Sequence, residues 1–481
     1  MSSLKEKTAH GLFWGSVSNG AQQLLNLVFG IALGRLLNVE DYGMVGQLAI
    51  FALLASTLQE SGFTAALVNR PQLAHRDYNA VFWFVLPVSL LLYGLLYFLA
   101  PWIADFYGNP QLTPLARYSF LSFVISGLGI VPSARLFSQM KVRLRTLSNL
   151  MALFISGCVG VVLAWQGFAY WGIATQTLVY VGINTLLYWY WAQWHPTLEW
   201  NMQPVREMLG FSSRLLLTSL LSHVNNNFFS VFLGRIYDER AVGNYNQANK
   251  WNFMGHGLVS GVVQGVAQPL FVETRDNEEQ QRRVFRKMLR FTAFLSFPVM
   301  LGLSIIAQEL IVLAIGEKWL VAADMLRWLC VSGAFLPLAT LYTQFLLSKG
   351  RSDLYLKGLF LLVIVQLVTA LVTYPFGVMF MLRSYVLVGA LWLLVWHGLS
   401  RPHLKLSFGI LLRDAFPFLI IAAVTMLITH YLIAWLLPPL WLSLLGKIVV
   451  AALLYSAILW WAGAEILKES VAYLFRRKRK D

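Results

Sequence analysis

Long apolar stretches recur along almost the whole chain, and they limit the possible folds more than any other feature. Fourteen of them hold roughly 20 residues or more, the length that an α-helix needs to cross about 30 Å of hydrocarbon. A backbone inside a bilayer finds no water, so it satisfies its own polar groups by forming helices. The chain is therefore predicted to be an all-α, polytopic membrane protein. The predicted helices cover residues 10–35, 42–68, 78–103, 114–134, 146–165, 170–193, 212–235, 241–271, 291–314, 322–348, 358–374, 378–399, 414–436 and 441–463.

The charged residues agree with this count and indicate an orientation. The chain is 58% hydrophobic and 12% charged, and a soluble domain carries about twice that charge. With the N-terminus inside, 28 of the 37 Lys and Arg residues fall in cytoplasmic segments, while the outside turns hold two, as the positive-inside rule requires. Both termini are then cytoplasmic. The net charge of +15 describes loops and a basic tail that face anionic lipid, and it does not indicate nucleic-acid binding.

A repeat at an offset of 200 residues suggests two related halves. Residues 26–49 and 226–249 are identical at 7 of 24 positions. We interpret the repeated glycines as sites of close helix packing and the repeated arginines as caps at helix C-termini. The six residues of this structural motif are Gly34, Arg35, Gly43, Gly234, Arg235 and Gly243. The repeat predicts a six-helix lobe at 1–200, a related lobe at 201–400, and two additional helices with a basic tail at 401–481. Two similar lobes are typical of transporters that work by alternating access.

Polar side chains occur inside three of the predicted helices, at positions where lipid would be unfavourable. Many of them are three or four residues apart, so they share a helix face. Because exposing these groups to hydrocarbon is costly, they must face protein or a water-filled cavity. Hydrogen bonding between packed helices is the alternative for any single residue. Taken together, the set predicts a substrate cavity, and its candidate residues are Gln22, Asn26, Arg214, Asn226, Lys250, Asn252, His256 and Gln264.

The sequence does not contain the usual signatures of an enzyme. Gly446-Lys447 lacks the upstream glycine and the following Ser or Thr of a phosphate-binding loop, and no zinc-binding spacing occurs. Cys158 and Cys330 both lie in apolar stretches, so no disulfide framework is indicated. The outside turns are too short for a catalytic domain. We therefore expect transport with no cofactor and no bound metal. Glu60 and Glu309 lie toward helix ends, so no proton or sodium site is evident, and coupling to either ion is left open.

Several short motifs resemble those of a known family. Residues 33–37 read LGRLL, 41–43 read DYG, 59–70 read QESGFTAALVNR, 308–310 read QEL, 316–319 read GEKW and 350–354 read GRSDL. In this order they resemble the polysaccharide exporters (Wzx type) of the MOP flippase superfamily, most of all the colanic-acid and teichuronic-acid exporter group. The resemblance covers about residues 10–360. It departs at Val39, where the family usually has proline, and at Val242-Gly243, where the second copy lacks the Tyr-Gly pair.

The resemblance implies a cargo and a location. The cargo would be undecaprenyl-pyrophosphate carrying the repeat unit of an O-antigen, capsule or exopolysaccharide. It would be flipped to the outer leaflet of a bacterial inner membrane, where polysaccharide polymerase machinery is a potential partner. On this interpretation Arg214 and Lys250 pair with the pyrophosphate, while sugar hydroxyls bind the amide and imidazole groups of Asn226, Asn252, His256 and Gln264.

Three alternatives remain open at this point. A lipid II flippase would have the same fold. Multidrug efflux of the MATE kind is a second transport function, although it usually relies on an acidic residue in the membrane. A membrane glycosyltransferase or polymerase belongs to a different class, and the short outside turns argue against it.

Overall fold

The computed structural model is all-helical throughout the part of the chain that it describes. Residues 4–60, 67, 73–199, 201–436, 439–464 and 466 are described, without the side chains of 4–19, 209–215 and 217–218. The first nine α-helices are α1 (Leu4–Leu36), α2 (Val39–Glu60), α3 (His75–Tyr107), α4 (Leu112–Ser119), α5 (Leu121–Ser138), α6 (Val142–Trp165), α7 (Ala169–Ala192), α8 (Gln203–Ile236) and α9 (Glu239–Glu273). The others are α10 (Glu278–Ile315), α11 (Leu320–Gly333), α12 (Leu336–Ser348), α13 (Ser352–Thr373), α14 (Val378–Leu404), α15 (Phe408–Leu436) and α16 (Leu440–Trp461), with short 3-10 turns at Glu317–Trp319 and Tyr374–Phe376.

The helices account for the fourteen predicted spans, because two spans are each built from two helices. Helices α4 and α5 are separated only by Phe120, and they share the stretch Leu112–Ser138. Helices α11 and α12 share Glu317–Ser348 in the same way. Ten stretches of the described chain are long and apolar enough to cross a membrane. The remaining four are α1, α7, α8 and α9, and three of these carry the predicted polar cavity residues. The prediction of an all-α, polytopic membrane protein is confirmed.

Helix α10 begins well before the predicted span at 291–314. Its first turns are charged, and Asn277 caps them by accepting a hydrogen bond from the Gln280 amide at 3.0 Å. Glu278 and Glu279 lie in the first turn, where the helix dipole favours negative charge. Hydropathy alone indicates only the part of a helix that lies in lipid. The predicted span therefore leaves out the charged residues 278–290 at the start of this helix.

Contacts divide the chain into two compact units, residues 1–243 and 244–481. The first has two apolar clusters, one around Phe82 and Val131 and one around Ala100 and Phe120. In the second, Phe285 packs edge-on against Tyr342 with ring centroids 4.9 Å apart. The predicted lobes at 1–200 and 201–400 and the added pair at 401–481 remain a prediction.

A buried ion pair joins α10 to the last helix of the second unit. The Lys447 ammonium of α16 donates to the Glu309 carboxylate of α10, and their side chains are 4% and 9% exposed. Lys447 also donates to the Ile305 carbonyl at 3.1 Å, and Ser443 donates to Glu309 at 3.0 Å. These hydrogen bonds offset the desolvation of both charges, so the pair acts as a polar link inside an apolar bundle.

Candidate functional site

The repeat motif residues lie where the second helix of each copy begins. A Cβ added to Gly43 would overlap the carbonyl oxygen of Glu239, and one added to Gly243 would overlap the carbonyl oxygen of Val39. All four residues belong to the first unit. The starts of α2 and α9 therefore cross at backbone contact, and only glycine fits at these two positions.

The other residues of the motif lie at helix ends. The Arg235 guanidinium donates to the carbonyl of Phe106 at 2.7 Å and lies 5.2 Å from the centre of its ring. A Cβ at Gly234 would come within 2.8 Å of the Tyr107 ring. The carbonyl that Arg235 binds is in the last turn of α3, so the arginine reaches a neighbouring helix. In the first copy, Gly34 is buried and Arg35 is exposed.

The polar residues predicted on α1 and α8 include two that point away from packed side chains. Asn26 and Asn226 are exposed, whereas Gln22 is half-buried. Asn226 accepts a long hydrogen bond of 3.4 Å from the Asn225 amide. The side chain of Arg214 lies outside the described residues. The two exposed amides, in helices of 33 and 34 residues, are free to meet water or a polar ligand.

The predicted residues on α9 lie on different faces of the helix. Lys250 and Gln264 are exposed, and they are separated by about 40° around a helix with 3.6 residues per turn. Asn252 is buried, its Oδ1 has no hydrogen-bond partner among the described residues, and a Cβ at Gly333 would overlap that atom. His256 is half-buried, and its Nδ1 likewise has no described partner. The exposed face suits a charged or hydroxyl-bearing ligand, and the inward face holds two polar atoms that a water could satisfy.

A polar pocket in the first unit was not predicted. It has a volume of about 300 Å³, and α2, α5, α6 and α7 line it. The polar lining residues are Ser56, Gln59, Glu60, Ser126, Ser133, Arg145, Tyr180, Asn184, Thr185 and Tyr188. Hydroxyl, amide, carboxylate and guanidinium groups converge here within an apolar bundle. This is the pattern of a site that recognises a polar small molecule.

Gln59 lines one wall of the pocket and forms hydrogen bonds through both its side-chain nitrogen and its side-chain oxygen. Gln59 donates from Nε2 to Ser89 Oγ at 2.8 Å and to the Phe123 carbonyl at 2.6 Å. Its Oε1 accepts from Ser126 Oγ at 3.0 Å. A Cβ at Gly127 would overlap Ser89 Oγ, so the glycine makes room for this network. Because each bond fixes the next, the wall is rigid before any ligand binds.

On another wall of the pocket, one side-chain oxygen accepts no hydrogen bond from the described residues. Asn149 Oδ1 accepts from the Tyr188 hydroxyl at 2.6 Å and from Asn184 Nδ2 at 3.0 Å. Asn184 is 9% exposed, and its Oδ1 has no hydrogen-bond partner among the described residues. A buried acceptor without a donor is uncommon in folded proteins, and a hydroxyl group in the pocket would reach it after a small rearrangement of the surrounding side chains.

Charges of both signs lie at the pocket. The Glu60 carboxylate is exposed, and the half-buried Arg145 guanidinium lies 5.0 Å from the centre of the Phe137 ring. No group of three or more His, Cys, Asp or Glu side chains in the described ranges could hold a metal ion. The hydroxyl, amide and charged side chains of the pocket suit hydrogen bonding and charge pairing with an organic ligand.

Comparison with known sequences gives a consistent result. Residues 32–324 match the family described as polysaccharide biosynthesis protein. The chain is 25% identical over 361 residues to the lipopolysaccharide biosynthesis protein WzxC of Escherichia coli (strain K12), covering 74% of this chain and 73% of that protein. It is 26% identical over 359 residues to the teichuronic acid biosynthesis protein TuaB of Bacillus subtilis (strain 168), covering 74% of each. The resemblance drawn from the short motifs is confirmed.

Solved structures share the fold. The lipid II flippase MurJ in an inward closed conformation superposes with a TM-score of 0.75 at 14% identity, covering 93% of this chain and 99% of that one. An inward-facing multidrug resistance MATE family transporter of the MOP superfamily gives a TM-score of 0.65 at 17% identity, covering 80% of this chain and 94% of that one. These likenesses establish the helical architecture.

Proposed function

The chain is a multi-pass membrane member of the polysaccharide biosynthesis protein family, and on that premise we propose that it flips a lipid-linked oligosaccharide across the membrane. The cargo we propose is undecaprenyl-pyrophosphate bearing a repeat unit of O-antigen, capsule or exopolysaccharide. The membrane would be the bacterial inner membrane, with both termini cytoplasmic. The protein acts as a carrier and performs no covalent chemistry.

The observation that carries this proposal is the set of exposed polar groups on long membrane helices. A pyrophosphate and a row of hydroxyls cannot cross hydrocarbon bare, because each polar group would lose its hydrogen bonds to water. Asn26, Asn226, Lys250 and Gln264 are exposed within helices of 33 to 35 residues. They can replace the water around a head group, while the undecaprenyl chain stays in lipid.

The charged and the uncharged polar residues would bind different parts of the cargo. We propose that Lys250 and Arg214 each supply a cation for the pyrophosphate. Asn226, Asn252, His256 and Gln264 supply hydrogen bonds for sugars. The polar pocket of the first unit would hold part of the glycan on the predicted cytoplasmic side, where Asn184 offers an unused acceptor.

Alternating access is the mechanism we propose, because the sequence contains two related halves and no phosphate-binding loop for ATP hydrolysis. A proton or sodium gradient would be the source of energy for this cycle, and a liposome assay with an imposed gradient of either ion tests for it. A polysaccharide polymerase would receive the flipped unit at the outer face.

The test is a flipping assay with purified protein in liposomes. A fluorescent undecaprenyl-pyrophosphate oligosaccharide reports its leaflet through an impermeant quencher. We expect protein-dependent exchange that falls about tenfold in Lys250→Ala, the factor expected when one charge-assisted hydrogen bond is lost. Arg214→Ala should fall similarly, and Lys357→Ala, an exposed cation at the start of α13, is the matched control.

One result would contradict the proposed activity, and another would contradict the roles given to the two cations. No exchange across several glycans, with and without an imposed gradient, would favour small-molecule efflux. Exchange that is the same in Lys250→Ala, Arg214→Ala and wild type would remove both cations from the path and leave the flipping activity itself intact.

A further inference from the structure

A cationic cavity lies in the second unit, where the ends of two helices meet a third. It has a volume of about 310 Å³, and Arg290 of α10, Arg413 of α15 and Ile466, just beyond α16, are among its lining residues. Helix α15 begins here and α16 ends here, while Arg290 lies twelve residues after the start of α10, next to the predicted span at 291–314. The distribution of Lys and Arg predicts that these ends lie at the cytoplasmic surface. The cavity is therefore at the level of lipid head groups.

A buried carboxylate in the cavity wall fixes two arginines of α10. Asp414 has a side chain that is 1% exposed, and it accepts from Arg286 through Nε at 2.6 Å and a terminal nitrogen at 3.0 Å. Its other contact is with Arg290 Nε at 2.8 Å. Three guanidinium charges, counting Arg413, meet one carboxylate, which leaves an excess of two positive charges. The carboxylate holds Arg286 and Arg290 in place without neutralising both of them, and Arg413 adds a further positive charge.

Several donors are left unused. Arg290 binds Asp414 through Nε only, and its two terminal nitrogens have no acceptor among the described residues. Arg413 is exposed and has no hydrogen-bond or ion-pair partner within the described ranges. A planar guanidinium that presents two parallel N–H groups matches the oxygens of a phosphate.

The rest of the site is apolar. Pro417 and Phe418 line its membrane side, and Phe418 packs on Phe294 with ring centroids 6.2 Å apart. Beside the cavity, α15 exposes Leu412 and Phe416, which are 41% and 47% exposed. A ligand that joins a phosphate to hydrocarbon chains would satisfy both surfaces at once.

We propose that this cavity binds the phosphate of an anionic membrane phospholipid, with the acyl chains against the exposed face of α15. Basic pockets between membrane helices on the cytoplasmic side are suited to such head groups. Free phosphate shares the charge but has no chains to contact Leu412 and Phe416. The proposal concerns a resident lipid, so it stands or falls separately from the flipping activity.

The experiment is a lipid titration of the full-length protein in neutral detergent. Native mass spectrometry counts bound phosphatidylglycerol, with phosphatidylcholine as the uncharged reference and inorganic phosphate as the competitor. We expect saturable binding of phosphatidylglycerol alone. Arg413→Gln should weaken it about fivefold and the double variant Arg290→Gln/Arg413→Gln about 30-fold, since each basic residue near an anionic surface contributes a similar factor.

The controls separate a site from general attraction. Lys357→Gln removes an exposed cation at the start of α13, outside the cavity, and should leave binding unchanged. Arg413 contacts no described partner, so its substitution should not disturb folding. If the double variant fails to fold, the binding measured for Arg413→Gln alone tests the proposal. Equal binding by Arg413→Gln and Lys357→Gln would overturn the proposal. Displacement of the lipid by an equal concentration of inorganic phosphate would overturn the lipid as the ligand.

Discussion

Glu40 forms an ion pair with Arg240, the residue at its own position in the second copy of the repeat. Both side chains are partly solvated, at 34% and 71% exposure for Glu40 and Arg240, so the pair adds little to stability. The ion pair matters for the position of the two helices more than for stability. It brings the start of α2 beside the start of α9, where Gly43 and Gly243 allow the backbones to touch.

The first prediction concerns this crossing. Gly43→Ala should lower the free energy of unfolding by about 1–3 kcal/mol, because the new Cβ overlaps a backbone carbonyl that cannot rotate away. Thermal unfolding of the purified protein measures the effect. Gly94→Ala, in α3 where nothing lies within 4 Å of an added Cβ, is the matched control and should be neutral or stabilising. Equal unfolding temperatures for the two variants would show that the crossing tolerates a methyl group.

The second prediction concerns the buried pair of Glu309 and Lys447. Lys447→Met should destabilise the protein by about 3–5 kcal/mol, because it leaves a buried carboxylate without its counter-charge. The double variant Glu309→Gln/Lys447→Met should recover most of that loss. A double-mutant cycle followed by thermal unfolding measures the coupling. The exposed pair Arg283 and Glu279, with side chains 74% and 75% exposed, should give less than about 0.5 kcal/mol in the same cycle, and similar values for both pairs would contradict this account.

The third prediction concerns the polar pocket of the first unit. Tyr188→Phe removes the hydroxyl that Asn149 accepts at 2.6 Å, and Asn184→Ala removes the unused acceptor. Each should slow flipping about three- to tenfold, the range that corresponds to one hydrogen bond. The assay is the liposome measurement described above, and unfolding temperatures within a few degrees of wild type would exclude a folding defect. Tyr190→Phe, at a side chain that is 69% exposed, is the control. A rate for Tyr188→Phe that matches Tyr190→Phe would rule out the hydroxyl of Tyr188 as a group that transport needs.

Hydropathy and charge predicted the helical class and the fourteen spans, because lipid imposes a length and a polarity on every helix that crosses it. The prediction lost accuracy where a helix leaves the bilayer. Residues 278–290 form the charged beginning of α10, and nothing in a hydropathy pattern separates a polar helix from a polar loop. The break at Phe120 was also missed, since α4 and α5 together have the apolar length of one helix.

The pocket was missed for a different reason. Gln59, Ser126, Asn149 and Asn184 come from four helices, and these helices contribute between one and four polar lining residues each. Helical periodicity shows which residues share a face, but it does not show which faces meet. The pair QE at 59–60 belongs to one of the motifs that resemble the exporter family, and it is the one sequence signal that points to this region.

Helix α10 is pinned to the two last helices at both of its ends. Near its start, Arg286 and Arg290 hold Asp414 of α15, and near its finish Glu309 holds Lys447 of α16. Arg290 and Glu309 are about 28 Å apart along the helix axis at 1.5 Å per residue. Ion pairs at two points that far apart oppose tilting of α10 relative to α15 and α16. In the alternating-access mechanism proposed above, any movement of α10 would therefore carry α15 and α16 with it, and the lipid in contact with these two helices would resist that movement.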